Sequence, residues 1–292
     1  MLLVLAFVAL VVLVGWAVDL LLGLGLAGLA VALAVEAVGA GVAYWKSDSI
    51  ALAMSHARPA DPTTHARLHN LVEGLCIAAG LPKPRIYVIE DDAPNAFATG
   101  RNPRHAAVAV TTGLLDKLTR IELEGILAHE LSHIKNYDIL VSTLAVTLVG
   151  VVALLTDFSL RFLWWGGPRH RDDSRAGGGG GPAGALAVFG FVLLLFAPIV
   201  AKLMQATISR RREALADVSG VALTRYPPGL ISALEKLRDD TTVVHSSSRA
   251  TAHLWVESPL ARTPEEGRRV RLNRLFDTHP PLEERIQALK EL

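Results

Sequence analysis

A long N-terminal stretch without basic side chains is the strongest constraint on the fold. Residues 1–45 contain neither lysine nor arginine, and their only charged side chains are Asp19 and Glu36. As one helix the stretch would be about 67 Å long, about twice the hydrocarbon thickness of a bilayer. We therefore predict two membrane-spanning helices, near residues 2–18 and 27–45. A cleaved signal peptide is the alternative, but the stretch has no basic start and is too long.

Two later apolar runs, residues 139–156 and 183–201, also lack charged side chains. Each approaches the roughly 20 residues that a spanning helix needs, although buried helices of a soluble core would have a similar length. The loop at 166–182 contains five consecutive glycines and is typical of a flexible linker. With a mean hydropathy of +0.37 and 20% charged residues, the chain is predicted to be a mainly α membrane protein with about four transmembrane helices.

The basic residues predict how the chain is oriented in the membrane. Lys46 and Arg58 follow the second predicted span, and Arg210–Arg212 follow the fourth. This places the soluble parts, and both ends of the chain, on the cytoplasmic side of a plasma membrane. Four arginines in the loop between spans three and four favour the opposite orientation.

Charge and cysteine content exclude several classes of protein. The chain has 29 basic and 28 acidic side chains, a net charge of +1, so nothing points to a nucleic-acid partner. Cys76 is the only cysteine, which excludes an internal disulfide and a thiolate zinc cluster.

Residues 46–138 are predicted to form an α+β region with a small sheet. Thr63–Ala79 has helical periodicity with Cys76 on the apolar face, and Arg85–Glu90 alternates like a strand. Ala106–Thr112 is a second β-rich run, interpreted as an edge strand that could pair with an extended substrate. The intervening residues 95–103 are interpreted as turn and loop.

One motif carries chemistry. Thr119 and Glu122 form a capping box that begins a helix running toward Asn136, and this helix contains His129 and His133 in the pattern H-E-x-x-H. Histidines four residues apart lie on one helix face and can bind a single zinc ion. The carboxylate of Glu130 can then accept a proton from the attacking water as general base.

A catalytic zinc site needs a third protein ligand and an open fourth position. Glu213 is the leading candidate, since it opens a helical stretch after the fourth apolar run. Asp217 lies one turn later and could orient a zinc-binding histidine as a hydrogen-bond acceptor. His245, His253 and His279 are the competing ligands.

The combination of motifs resembles the HtpX-type family of membrane-bound zinc metallopeptidases, relatives of the CAAX prenyl proteases. Six matching segments follow the family's order along nearly the whole chain, whereas the loop at 166–182 and residues 239–268 depart from it. The matching segments are residues 44–48, 95–100, 107–115, 129–138, 212–217 and 278–286.

The resemblance implies that His129, His133 and Glu213 bind one Zn²⁺ per chain and that Glu130 is the catalytic base. It also suggests that His279 approaches the active site and stabilises the oxyanion. The implied domain with these residues is zincin-like and is divided into residues 46–138 and 205–292. The remaining parts are a membrane hairpin at 1–45 and a second at 139–204.

The implied activity is endopeptidase cleavage in the quality control of misfolded or damaged membrane proteins, as part of a stress response. Partners are then membrane-protein or unfolded polypeptide substrates, the lipid bilayer, and other membrane proteases or further copies of the chain. Two alternatives stay open: a CAAX-type processing protease, and a non-catalytic membrane scaffold or sensor that binds zinc.

The spacing between the motifs and the apolar runs gives a further hypothesis. His133 precedes the third run by six residues and Glu213 follows the fourth by twelve, so continuous helices would place the ion roughly 9–18 Å from the membrane surface. Substrates would then be membrane proteins or loops near the bilayer. Glu36, in the middle of the second predicted span, is a further functional candidate.

Overall fold

The computed structural model describes residues 45–46, 48–140, 142, 210–242, 244, 255–256 and 280–292. The chain separates into two compact units, and all described residues belong to the second, Trp45–Thr147 with Met204–Leu292. The four predicted spans lie outside the described residues, apart from Trp45 and the first residues of the third run. The predicted four-part domain division therefore stays a prediction. Within the described ranges, none of the helices combines the length and apolar character that crossing a bilayer requires.

The described residues form an α+β domain, as predicted. The strands are β1 (Arg58–Pro59), β2 (Arg85–Ile89), β3 (Ala96–Gly100) and β4 (Ala106–Thr111). The helices are α1 (Ala66–Ala79), α2 (Thr112–Lys117), α3 (Arg120–Lys135), α4 (Arg210–Thr224), α5 (Pro227–Asp239) and α6 (Leu282–Lys290). The helix predicted from Thr63 begins three residues later, and Cys76 is buried in its core face as expected.

The strands form one mixed sheet in the order β1-β2-β4-β3. β2 and β4 are parallel, whereas β1 pairs antiparallel with β2 and β3 pairs antiparallel with β4. β4 is therefore a central strand with a neighbour on each side. The prediction that Ala106–Thr112 forms an edge strand for substrate is wrong, because its hydrogen-bonding groups face β2 and β3.

The interpretation of residues 95–103 as turn and loop is also wrong for most of the segment. Ala96–Gly100 is strand β3, and the reversal to β4 is confined to the residues around the 3-10 turn Pro103–His105. All five residues of β3 are buried, because helices cover one sheet face and a cluster with Phe97 and Trp255 covers the other. A strand buried on both faces shows no alternation of polar and apolar residues that would reveal it.

Helix α3 begins at the predicted capping box. The Thr119 hydroxyl accepts a hydrogen bond from the Glu122 backbone N–H, and the Glu122 carboxylate accepts one from the Thr119 backbone N–H. Glu122 also binds Lys236 and Ser232 of α5 at 2.7 and 2.6 Å. These contacts attach the first turn of α3 to α5. They help to fix the orientation of α3, which contains the two histidines.

Two glycines allow helices to pack closely on α3. A methyl group at Gly125 would lie 2.8 Å from the backbone nitrogen of Leu230 in α5, and one at Gly220 would lie 3.0 Å from the backbone nitrogen of His129. Side chains at either position would push the neighbouring helix away. The close approach at Gly220 brings α4, and with it Glu213, beside the two histidines of α3.

Candidate metal centre

The four-residue spacing in α3 brings the two imidazoles together as predicted. The Nε2 atoms of His129 and His133 lie 3.2 Å apart, and the ring planes are almost perpendicular. His129 is fully buried, whereas His133 is partly open to solvent. Both side chains therefore aim one ring nitrogen at the same point beside the helix.

Glu213 of α4 completes a group of three donor atoms. Its Oε1 lies 3.5 Å from His133 Nε2 and its Oε2 lies 3.7 Å from His129 Nε2. Bonds of 2.0–2.1 Å at tetrahedral angles would separate neighbouring zinc ligands by about 3.4 Å. The three donors lie near this spacing, and a His₂Glu set is one that catalytic zinc sites use. The residues therefore fit a zinc ion, and among the described residues they form the one such group.

Glu130 follows His129 on α3 and is 2% exposed. Its negative charge contributes to the raised pKa of both His133 and Arg285, so the carboxylate lies within the electrostatic field of the site. A buried carboxylate beside the three donors is suited to exchange protons with a water molecule there.

His129 belongs to a buried network with Asp217 and Arg285, which we call the inner network. Asp217 Oδ1 lies 2.8 Å from His129 Nδ1, so this nitrogen carries the proton and Nε2 keeps its lone pair for a metal. Arg285 of α6 donates to both oxygens of Asp217, from Nε at 2.9 Å and from Nη2 at 2.6 Å. The third guanidinium nitrogen, Nη1, donates to the backbone oxygen of Val256.

His133 has a corresponding outer network: His133, Asp138 and Arg212. Asp138 Oδ2 lies 3.1 Å from His133 Nδ1, and Arg212 Nη1 lies 3.6 Å from Asp138 Oδ1. Each histidine thus has a carboxylate on its Nδ1 side and an arginine behind that carboxylate. This arrangement fixes the orientation of both rings before any metal binds.

The charges of the site shift the pKa values of its groups. Burial alone lowers the pKa of His133, but Glu213, the hydrogen bond with Asp138 and the charge of Glu130 raise it to about 9. Burial alone raises the pKa of Asp217, but Arg285 and His129 lower it to about 2. The negative field that favours a proton on His133 also favours a bound cation.

The structure brings together most of the predicted site residues. His129, His133, Glu213 and Asp217 converge, with Glu130 beside them, whereas His245, His253, His279 and Glu36 lie outside the described residues. The functional roles of all these residues stay predictions.

Two residues of these networks are not predicted from the sequence patterns: Arg285, and Asp138 as the partner of His133. Arg285 shares one face of α6 with the buried Leu282, Ile286 and Leu289, and a charged residue in such an apolar stripe needs a buried partner. That pattern was a readable signal. Asp138 lies only five residues after His133, but it follows the helix end, where helical spacing gives no guide.

Comparisons with known proteins agree with this geometry. Residues 62–292 match the model of Peptidase family M48. A "Protease HtpX homolog" of Thermoanaerobacter pseudethanolicus is 45% identical over 253 residues, which covers 86% of this chain and 80% of the relative. A protein with the same description from Listeria innocua is 42% identical over 294 residues and covers 99% of this chain and 95% of the relative.

A solved structure shows the same fold. The crystal structure of S. mikatae Ste24p aligns with a TM-score of 0.50 and 18% identity, covering 88% of this chain and 57% of that chain. At this identity the likeness concerns the fold alone. The family match and the relatives together show that the chain belongs to peptidase family M48 and is a metalloprotease of the HtpX type.

Proposed function

We propose that the chain is a zinc-dependent endopeptidase in which His129, His133 and Glu213 hold the ion. The observation that carries this proposal is the convergence of the three donor atoms within 4.8 Å of one another on two closely packed helices. Zinc bound there would supply Lewis acidity, which activates water and polarises the scissile carbonyl.

The protein side chains perform the proton transfers and the positioning. Glu130 accepts the proton of the attacking water and passes it to the leaving amine. Asp217 and Asp138 keep His129 and His133 in the tautomer that leaves Nε2 unprotonated. His279, in the segment just before α6, is the proposed donor to the developing oxyanion.

We further propose that the enzyme acts at the cytoplasmic surface of the plasma membrane. Four apolar runs, of which only the second contains a charged side chain, Glu36, support membrane insertion. Asp138 lies next to the third run and Arg212 lies after the fourth. Substrates are then membrane proteins, or unfolded segments close to the bilayer, and the physiological role is quality control. The proposal rests on the sequence pattern and on the HtpX-type relatives.

The decisive experiment compares Glu130→Gln with Glu124→Gln in the full chain purified in detergent and loaded with zinc. Glu124 lies on the same helix and lines a surface groove with Ile121 and Tyr226. We expect Glu130→Gln to bind zinc like the unmodified protein and to lose cleavage of an unfolded membrane protein, while Glu124→Gln retains both.

Four other results would count against the proposal. Cleavage that survives in Glu130→Gln would exclude this residue as the base, and cleavage that survives a chelator would exclude the metal. Equal cleavage of freely soluble and membrane-bound unfolded substrates would contradict the proposal that the enzyme acts on substrates at the membrane. Specific cleavage near a prenylated C-terminus would favour the CAAX-type alternative.

A further inference from the structure

The four-stranded sheet has charges of opposite sign at its two ends. The register places Arg85 at the start of β2 beside Ala107, and Gly100 at the end of β3 beside Ala106. The start of β2, the start of β4 and the end of β3 therefore share one end of the sheet. The opposite end, where β2 finishes, continues into Glu90, Asp91 and Asp92.

The first end carries basic side chains from three segments of the chain. Arg101 and Arg104 lie in the turn from β3 to β4, and Arg85 begins β2. Lys46 directly follows Trp45, whose ring and backbone oxygen contact Arg101. We call Lys46, Arg85, Arg101 and Arg104 the basic edge. Asp48 is ion-paired with Arg85, whereas Lys46 and Arg104 are exposed and have no ion pair within the described ranges.

The turn that carries two of these arginines has a fixed shape. Gly100 has φ +137°, and a methyl group there would lie 2.4 Å from the backbone oxygen of His105. The Asn102 side chain accepts hydrogen bonds from the backbone nitrogen of His105 at 3.1 Å and from its Nδ1 at 2.8 Å. The positions of Arg101 and Arg104 are therefore set by the fold.

Arg101 connects this turn to the part of the chain that follows the apolar stretch. Its guanidinium carbon lies 4.4 Å from the centre of the Trp45 ring, and its Nη1 donates to the Trp45 backbone oxygen. Trp45 itself is 62% exposed and directly continues residues 1–44. An exposed tryptophan beside arginine at the end of an apolar run is typical of the membrane–water interface.

We propose that the basic edge binds the phosphate groups of anionic lipids at the surface of the membrane, a proposal that rests on the membrane insertion proposed above. Arginine suits this ligand because its planar guanidinium binds phosphate oxygens at two points. The acidic opposite end lies about 20 Å away along β4, beyond the range at which exposed charges interact in physiological salt. The charge separation along the strands thus orients the sheet, with its basic edge toward the lipid.

The test uses the full chain in mild detergent, titrated with phosphatidylglycerol or with phosphatidylcholine of the same acyl chains, and native mass spectrometry to measure bound lipid. We expect tighter binding of phosphatidylglycerol. Lys46→Gln with Arg104→Gln should weaken it by roughly fivefold for each charge removed, and phosphatidylcholine binding should not change.

Two further variants provide the controls. Arg120→Gln with Arg225→Gln removes the same charge at the start of α3 and directly after α4, outside the basic edge, and should leave lipid binding unchanged. Arg101→Lys keeps the charge but loses the planar guanidinium that stacks on Trp45, and should weaken phosphatidylglycerol binding by less than the removal of one charge does. An absent lipid preference, or an equal loss in either control, would overturn the proposal.

Protease activity toward a soluble unfolded peptide is measured on the same samples. If the protein cleaves the peptide but shows no preference for phosphatidylglycerol, lipid binding by the basic edge is rejected and the proposed peptidase reaction stands. Lipid selectivity that persists in an inactive, zinc-loaded protein would reject the proposed peptidase reaction alone. Extraction of the chain from membranes by alkaline carbonate would reject the membrane setting and the basic edge together.

Discussion

The two histidines of α3 are held by networks of the same composition in different surroundings. In the inner network the side chains of His129, Asp217 and Arg285 are 1%, 4% and 2% exposed. In the outer network the corresponding values for His133, Asp138 and Arg212 are 15%, 12% and 29%. Water therefore contributes to the solvation of the outer charges and almost nothing to that of the inner ones.

This difference determines how far each member depends on the others. Inside the protein an ionised carboxylate needs a hydrogen-bonded partner, so Asp217, His129 and Arg285 stabilise one another. At positions that are 12–29% exposed, solvent partly replaces a missing partner and the coupling is weaker. The inner network also joins three helices that are distant in sequence, whereas Asp138 is five residues from its histidine. We infer that the inner network maintains the fold of the site and that the outer one only adjusts it.

Removing the buried arginine should have the largest effect. Arg285→Met leaves Asp217 ionised and buried without its two guanidinium hydrogen bonds, and we expect a loss of about 3–5 kcal/mol in unfolding free energy. Urea unfolding of the metal-free protein measures this loss. Lys290→Met, an exposed change on the same helix with an ion pair to Glu235, should cost less than about 1 kcal/mol. Equal losses in the two variants would refute the distinction between buried and exposed pairs.

The two carboxylates should differ in their effect on metal affinity. Asp217→Asn and Asp138→Asn each replace an acceptor on a histidine Nδ1, and losses of such partners weaken metal binding by about 10–100-fold. We expect Asp217→Asn near the upper limit and Asp138→Asn near the lower limit. Competition with a chromophoric chelator measures both constants. A larger loss for Asp138→Asn would reverse our ranking of the networks.

The parts of the site that depend on contacts between residues close in sequence can be predicted from the sequence, whereas those that depend on distant residues cannot. The capping box at Thr119, the H-E-x-x-H helix and the pairing of Glu213 with Asp217 are short-range patterns, and helical geometry is enough to place them on one face. Arg285 acts across three helices, and no spacing rule connects it to Asp217. Its position among apolar residues of α6 was the one local sign of a buried role.

The sheet was harder to predict for a related reason. β2 and β4 are both predicted as strands, β2 from its alternation of polar and apolar residues and β4 from its β-rich composition, whereas β3 is buried throughout and has no such alternation. The order of the strands depends on β4 being inserted between β2 and β3, a long-range pairing that the sequence does not encode as a pattern. Sequence patterns therefore leave the central position of β4 and the outer strand β3 unrecognised.

Glu122, in the first turn of α3, tests whether an ion pair outside both networks acts on stability alone. Burial alone raises the pKa of Glu122, but Lys236, Ser232 and Thr119 lower it to about 2 from the usual 4.5. Its contribution is therefore complete above about pH 4.5 and is lost as the pH falls through about 2. We expect Glu122→Gln to lose about 2 kcal/mol at pH 7 and much less at pH 2, measured by urea unfolding with a chelator present throughout. If Glu122→Gln lowers the unfolding free energy equally at both pH values, the assigned pKa of Glu122 is contradicted. Glu124→Gln is the control and should leave the unfolding free energy unchanged at both pH values.

The smallest effect is expected at the exposed end of the outer network. Arg212 lies 3.6 Å from Asp138, beyond a good hydrogen-bond distance, and is 29% exposed. We expect Arg212→Met to change metal affinity by less than about threefold and unfolding free energy by less than about 1 kcal/mol. Because salt screens exposed charges, the changes in metal affinity and in unfolding free energy should both be smaller in 0.5 M salt. Chelator competition and urea unfolding at two salt concentrations measure this decrease. A tenfold, salt-independent loss of affinity would mean that Arg212 supports His133 as firmly as Arg285 supports His129, and the two networks would then be equivalent despite their different burial.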